Sequence, residues 1–102
     1  MTVTREFVMP DNHPVLPGHF PGDPVVPGVV LMAWCEQLAA DLVNAPVAAR
    51  NWPHVKFLHP LKPGQICRIA LEEITGARIA FRITAGPELI ASGIFEWALS
   101  RS

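Results

Sequence analysis

One histidine lies within a run of prolines and glycines, Pro17-Gly18-His19-Phe20-Pro21-Gly22-Asp23-Pro24-Val25-Val26-Pro27-Gly28, which leads straight into an apolar, helix-like segment. Imidazole exchanges protons near neutral pH, so His19 is a candidate acid or base. The start of a helix offers free N–H groups and a positive dipole end, which makes Gly28 a candidate donor to an oxygen gaining negative charge. The helix behind it carries Glu36 and Gln37, the polar side chains closest to that start. Each has a plainer reading. His19 caps or packs a loop, Gly28 only opens a helix, Glu36 faces solvent or a partner arginine, and Gln37 makes a structural hydrogen bond in a buried helix. Asp23 reads as a turn-shaping neighbour of Gly22. His13, His54 and His59 read as structural or surface residues, and Cys35 has no histidine partner that would make it a nucleophile.

The elements that must position these groups follow from the pattern. Thr2 to Val8 reads as a short strand with Val3 and Phe7 on one face. Met9 to Pro27 holds six of the eleven prolines, so it reads as an ordered loop without regular structure. Gly28 to about Val43 reads as a helix that is apolar nearly all round, hence buried, and Asn44-Ala45-Pro46 ends it. Val47 to Asn51 reads as a connector and His54 to Leu58 as a strand. Gln65 to Glu73, Ala77 to Thr84 and Leu89 to Ala98 read as three longer strands joined by turns short enough for antiparallel hairpins. They direct Cys67, Ile69 and Leu71, then Ile79, Phe81 and Ile83, then Leu89, Ala91, Phe95 and Trp97, each set to one face. This order predicts an α+β fold: a single domain over 1–102, with a curved antiparallel sheet wrapped around one central helix.

The chain has 102 residues, a net charge of −1 and a hydrophobic fraction of 50%. Without a basic block, nucleic acid is not an expected partner. So apolar a composition in a short chain points to surface hidden against a second copy, ahead of the plainer reading of a well-filled core. Cys35 and Cys67 lack metal-ligand spacing and read as small core residues, so neither a metal nor a cofactor is expected. No stretch approaches the ~20 apolar residues of a membrane span, and the N-terminus has no apolar run; a cytoplasmic protein is expected. Arg68, Arg78, Arg82, Lys56 and Lys62 suggest either a positive strand face for an acidic protein partner or ordinary solvated positions.

The segment from His13 to Val29, with its His-Phe-Pro-Gly-x-Pro-Val-x-Pro-Gly string from His19 to Gly28, resembles the signature of the hot-dog-fold 3-hydroxyacyl-acyl-carrier-protein dehydratases. A looser likeness runs through Gln37 and through Val55-Lys56-Phe57-Leu58-His59-Pro60-Leu61-Lys62-Pro63-Gly64. Within that family the short chain looks most like the small dehydratase-like subunits of aryl-polyene pathways. The resemblance implies that His19 takes the C2 proton of a 3-hydroxyacyl thioester and that the Gly28 N–H holds the thioester oxygen. It implies a substrate carried on the phosphopantetheine arm of acyl carrier protein. It also implies a homodimer, or a pair with a related hot-dog subunit, with the acyl chain lying between subunits against Phe20, Val29, Val30, Met32 and Ala33.

One position departs from the pattern. The family places an acid from the partner subunit fourteen residues after the histidine, to help the 3-hydroxyl leave as water; here that position is Ala33. Glu36 stands three residues on, ~60° around the helix and ~4.5 Å along it. Gln37 matches the family's usual glutamine. Glu36, or a water held by Gln37, is therefore the candidate proton donor. The leading expectation is dehydration to the trans-2-enoyl thioester. The alternatives are a thioester-binding subunit without its own catalysis in a heterodimer and, against the signature, a thioesterase using Glu36.

Overall fold

The computed structural model describes residues 2–10, 25–45 and 47–99. The loop histidine His19, its neighbour Phe20, His13 and Asp23 lie outside the described residues. The elements run β1 (Thr2–Val8), α1 (Gly28–Val43), β2 (Val47–Phe57), β3 (Ile66–Thr75), β4 (Arg78–Ala85) and β5 (Glu88–Leu99). The strands form one antiparallel sheet in the order β1-β3-β4-β5-β2, leaving β1 and β2 as its edges.

The helix begins and ends where its sequence dictates. Pro27 is its N-cap in an extended conformation, with φ −61° and ψ 144°, and the first turn closes by N–H groups of Val30 and Leu31 on the Pro27 carbonyl. At the far end Asn44 takes the left-handed conformation, φ 55°, and the Ala45 N–H returns to the Ala40 carbonyl at 3.1 Å, a Schellman-type closure. Asp41 in the last turn is ill-placed for the helix dipole and is countered by the guanidinium of Arg5 on β1.

One face of α1, formed by Leu31, Cys35, Leu38 and Ala39, is fully buried against the concave face of the sheet. There it meets Cys67, Ile69 and Leu71 of β3, Ile79, Phe81 and Ile83 of β4, and Phe95 of β5. Trp34 stacks on Phe7 of β1 with ring centres 5.2 Å apart, and Trp52 of β2 packs on Phe95 at 4.7 Å and edge-on to Phe81 at 5.6 Å. Burial pushes the Cys35 thiol up to about 12 and the Cys67 thiol up to about 11, so both are held as protonated, unreactive core groups.

Among the described residues, the apolar girdle of α1 is covered on one side only. Val29, Ala33, Gln37 and Asp41, spaced four residues apart, form an exposed stripe, and Val29 is 71% exposed. The segment from Val47 to Asn51 is strand rather than connector: β2 starts at Val47, opposite Leu99 of β5. Its alternation is interrupted because the pairing slips at Ala49/Asn51 and Asn51/His54. That irregularity also accommodates Pro53, which an edge strand tolerates. On β5 a bulge between the Ile83–Ala91 and Thr84–Leu89 pairs buries Ile90 beside Ala91, where strict alternation points Leu89 inward.

At Gly93, paired with Val55, β5 has no room for a side chain. A Cβ there would lie 2.0 Å from the His54 carbonyl oxygen and 2.8 Å from the Phe81 ring. Gly93→Ala is therefore expected to cost about 1–3 kcal/mol by overpacking. Urea denaturation followed by tryptophan fluorescence checks this; a midpoint equal to wild type contradicts it.

Candidate active site at the start of the helix

Gly28 stands at the first helical position, and neither its N–H nor that of Val29 has a hydrogen-bond partner among the described residues, since the helical ladder begins at Val30. These two donors belong to the positive end of a sixteen-residue helix with no acidic side chain in its first turn. Gly28 borders a cleft of about 350 Å³ lined also by Val26, Leu31, Phe57, Leu58, His59, Pro60 and Leu61. The lining is apolar apart from His59 and backbone groups. Glycine lets one wall come close: a Cβ at Gly28 would stand 2.8 Å from the tip of the Phe57 ring, which would have to shift.

Three backbone contacts hold the cleft together. The Val26 N–H donates to the Leu61 carbonyl at 2.8 Å, tying the entry of α1 to the turn after β2. The carbonyl of Ile90, set free by the β5 bulge, accepts the N–H groups of Leu58 at 2.8 Å and His59 at 3.3 Å. The turn is thus pinned between the helix start and the first residues of β5, and the exposed side chains of Phe57 and Leu58 share the cleft lining with Gly28.

The structure separates the remaining candidates. Leu31, which the sequence pattern did not single out, lines the cleft; Val29, Val30, Met32 and Ala33 do not. Val29 and Ala33 face outward on the exposed stripe, together with Gln37. The Glu36 carboxylate accepts the backbone N–H of Ala49 on β2 at 3.0 Å, beside the slip in that strand. His59, read from sequence as structural or surface, stands on the cleft wall. Its signal was present in the Val55–Gly64 segment that carries part of the family likeness.

On the convex face of the sheet Arg68 pairs with Glu6 at 3.4 Å and Arg78 with Glu96 at 3.0 Å. The Glu96 carboxyl is held below its ordinary range by hydrogen bonds from Asn51 and Arg78. Lys56 and Arg82 flank Ser92 in neighbouring strands. No group of three or more histidine, cysteine or acidic side chains able to hold a metal occurs among the described residues. No helix among them is long and apolar enough to cross a membrane.

A five-stranded antiparallel sheet curved about one helix is the hot-dog architecture. The chain belongs to the ApeI-like dehydratase family, whose model matches residues 1–94. It is 28% identical over 80 residues to the 3-hydroxyacyl-[acyl-carrier-protein] dehydratase FabZ of Caulobacter vibrioides, covering 70% of this chain and 50% of that protein. The chain thus spans about half the length of such curated relatives. Among solved structures it resembles the dehydratase heterocomplex ApeI:P from Xenorhabdus doucetiae, with TM-score 0.84 and 21% identity over 95% of this chain and 87% of that one. It also resembles an acyl-CoA hydrolase mutant from Staphylococcus aureus, with TM-score 0.72 and 16% identity over 99% of this chain and 65% of that one. At these identities the structural likenesses establish the fold alone.

Proposed function

We propose that this chain binds a 3-hydroxyacyl thioester, presented on the phosphopantetheine arm of acyl carrier protein, and dehydrates it to the trans-2-enoyl thioester in fatty-acid or polyene-type biosynthesis. The observation that carries this reading is the Gly28 N–H, without a partner among the described residues, at the wall of an apolar cleft. Loss of the C2 proton places negative charge on the thioester oxygen, and a preorganised amide at a helix start stabilises that charge where it develops. His19, nine residues before Gly28 in the chain, is the base that takes the C2 proton. The C3–O bond then breaks, the C2=C3 bond forms, and the hydroxyl leaves as water after receiving a proton. Glu36, or a water held by Gln37, is the donor within this chain. Phe20 and the helix residues Val29, Val30, Met32 and Ala33 would meet the acyl chain at a subunit boundary, in a homodimer or in a pair with a related hot-dog subunit.

Two observations favour a second reading, in which this chain is the thioester-binding member of a pair whose partner supplies the acid. Position 33 is an alanine on the exposed stripe of α1, and the Glu36 carboxylate is already engaged by the Ala49 N–H. The heterocomplex relative shows that a dehydratase of this fold is found as two different chains.

One assay separates the readings. The purified chain is given a 3-hydroxyacyl or a trans-2-enoyl pantetheine thioester, and enoyl absorbance is followed in both directions alongside thiol release. The dehydratase reading predicts reversible enoyl absorbance without thiol release. Absence of turnover, with a gain of about 10²-fold or more in Ala33→Glu, the order that a positioned proton donor contributes, supports the subunit reading. Thiol release instead identifies a thioesterase.

A further inference from the structure

We propose that His59 is a positioning residue for the carrier arm, its Nε2 accepting a hydrogen bond from an amide N–H of the pantetheine portion of the thioester. This rests on the thioester reading above and names a contact outside the reacting atoms. Nδ1 of His59 lies 3.0 Å from the Leu89 carbonyl oxygen. A carbonyl only accepts, so Nδ1 carries the proton and, in the neutral ring, Nε2 presents a lone pair.

Beside that nitrogen stands a second acceptor. The Glu88 carboxylate lies 3.7 Å from Nε2, beyond hydrogen-bond reach. His59 is the one polar side chain among the described residues that line the cleft, Glu88 standing outside that lining, so an acceptor at Nε2 calls for a ligand that brings a donor. The thioester group itself has no N–H or O–H, whereas the pantetheine arm carries secondary amides.

The ring is also well placed to wait for such a ligand. Its side chain is half exposed, and its backbone is fixed by the Ile90 carbonyl, which also takes the Leu58 N–H. The Nδ1 tie then fixes the ring's orientation, so little freedom remains to be lost on binding.

Two substitutions divide the ring's roles. His59→Asn keeps a donor near the Nδ1 position and removes the acceptor at Nε2; His59→Gln places an amide oxygen near Nε2 and gives up the tie to Leu89. Binding of crotonyl-pantetheine and of the propanethiol ester of crotonic acid is measured by calorimetry for wild type and both variants, with thermal midpoints recorded in parallel.

The expected result is that His59→Asn weakens crotonyl-pantetheine by about 2- to 10-fold, the range of one neutral hydrogen bond. The propanethiol ester should be unaffected, and His59→Gln should stay within about twofold of wild type for both ligands. A purely structural histidine gives the reverse order, Asn harmless and Gln impaired, and overturns the proposal. So does an equal loss for the two esters, which would place the contact on the acyl part. Wild-type binding without turnover removes the dehydratase reading and leaves the role of His59 standing. Failure of wild type to bind either ester removes the thioester reading and this contact with it.

Discussion

Gly28→Pro is expected to lower dehydration by about 10²–10³-fold with the fold intact, the loss typical of removing one oxyanion donor. Proline deletes the N–H while suiting the first helical position, where its φ is already that of the helix. The residue before it is ready for the change, because Pro27 has φ −61° and ψ 144°, inside the region that a following proline demands. The added Cβ must displace the Phe57 ring, 2.8 Å away at its tip, and Gly28→Ala is the control for that displacement because it adds the same atom and keeps the donor. Initial rates of enoyl formation at saturating thioester, with circular dichroism to verify the helix, make the comparison. Equal losses in the two variants would assign the effect to crowding by Phe57 and remove Gly28 from the chemistry.

His19→Ala carries the other large effect. A positioned base contributes about 10²–10⁴-fold, so turnover should fall by that order while thioester binding and the thermal midpoint change little. A histidine that merely packs a proline-rich loop gives the opposite pattern, a lowered midpoint with residual turnover in proportion to the folded fraction. The two variants also differ in what they spare. His19→Ala leaves the oxyanion donor in place, whereas Gly28→Pro leaves the base. Because both act on the same proton-transfer step, the double variant should lose much less than the product of the two single losses.

The parts legible from sequence were those decided by local physics. The helix from Gly28 to Val43 was bounded correctly because Pro27-Gly28 and Asn44 are start and stop signals that act within a turn of themselves. The strands around Ile69, Phe81 and Phe95 followed from strict alternation on a half-buried sheet. What failed was decided at a distance. Val47 to Asn51 has no clean alternation and becomes strand because β5 pairs with it. Ile90 enters the core because a bulge shifts it, which no hydrophobic pattern foretells. The cleft was half visible: Gly28 is marked by its motif, but its walls, Leu31 and the Phe57–Leu61 turn, are brought to it by the Val26–Leu61 and Leu58–Ile90 hydrogen bonds. The outward stripe from Val29 to Asp41 was only half marked, because Gln37 and Asp41 are polar while Val29 and Ala33 are apolar like the buried Leu31, Cys35, Leu38 and Ala39.

The central claim is that this chain removes a proton from C2 of an acyl thioester held at Gly28. It is tested most directly by incubating the purified chain with 3-hydroxybutyryl-pantetheine in D2O and locating deuterium in the recovered thioester by mass spectrometry. Deuterium at C2 in wild type, absent in His19→Ala and strongly reduced in Gly28→Pro, is the predicted result, and it holds whether the acid for the second half of the reaction comes from Glu36, from water on Gln37 or from a partner chain. A thioester recovered without deuterium at C2, although the chain demonstrably binds it, would contradict the account.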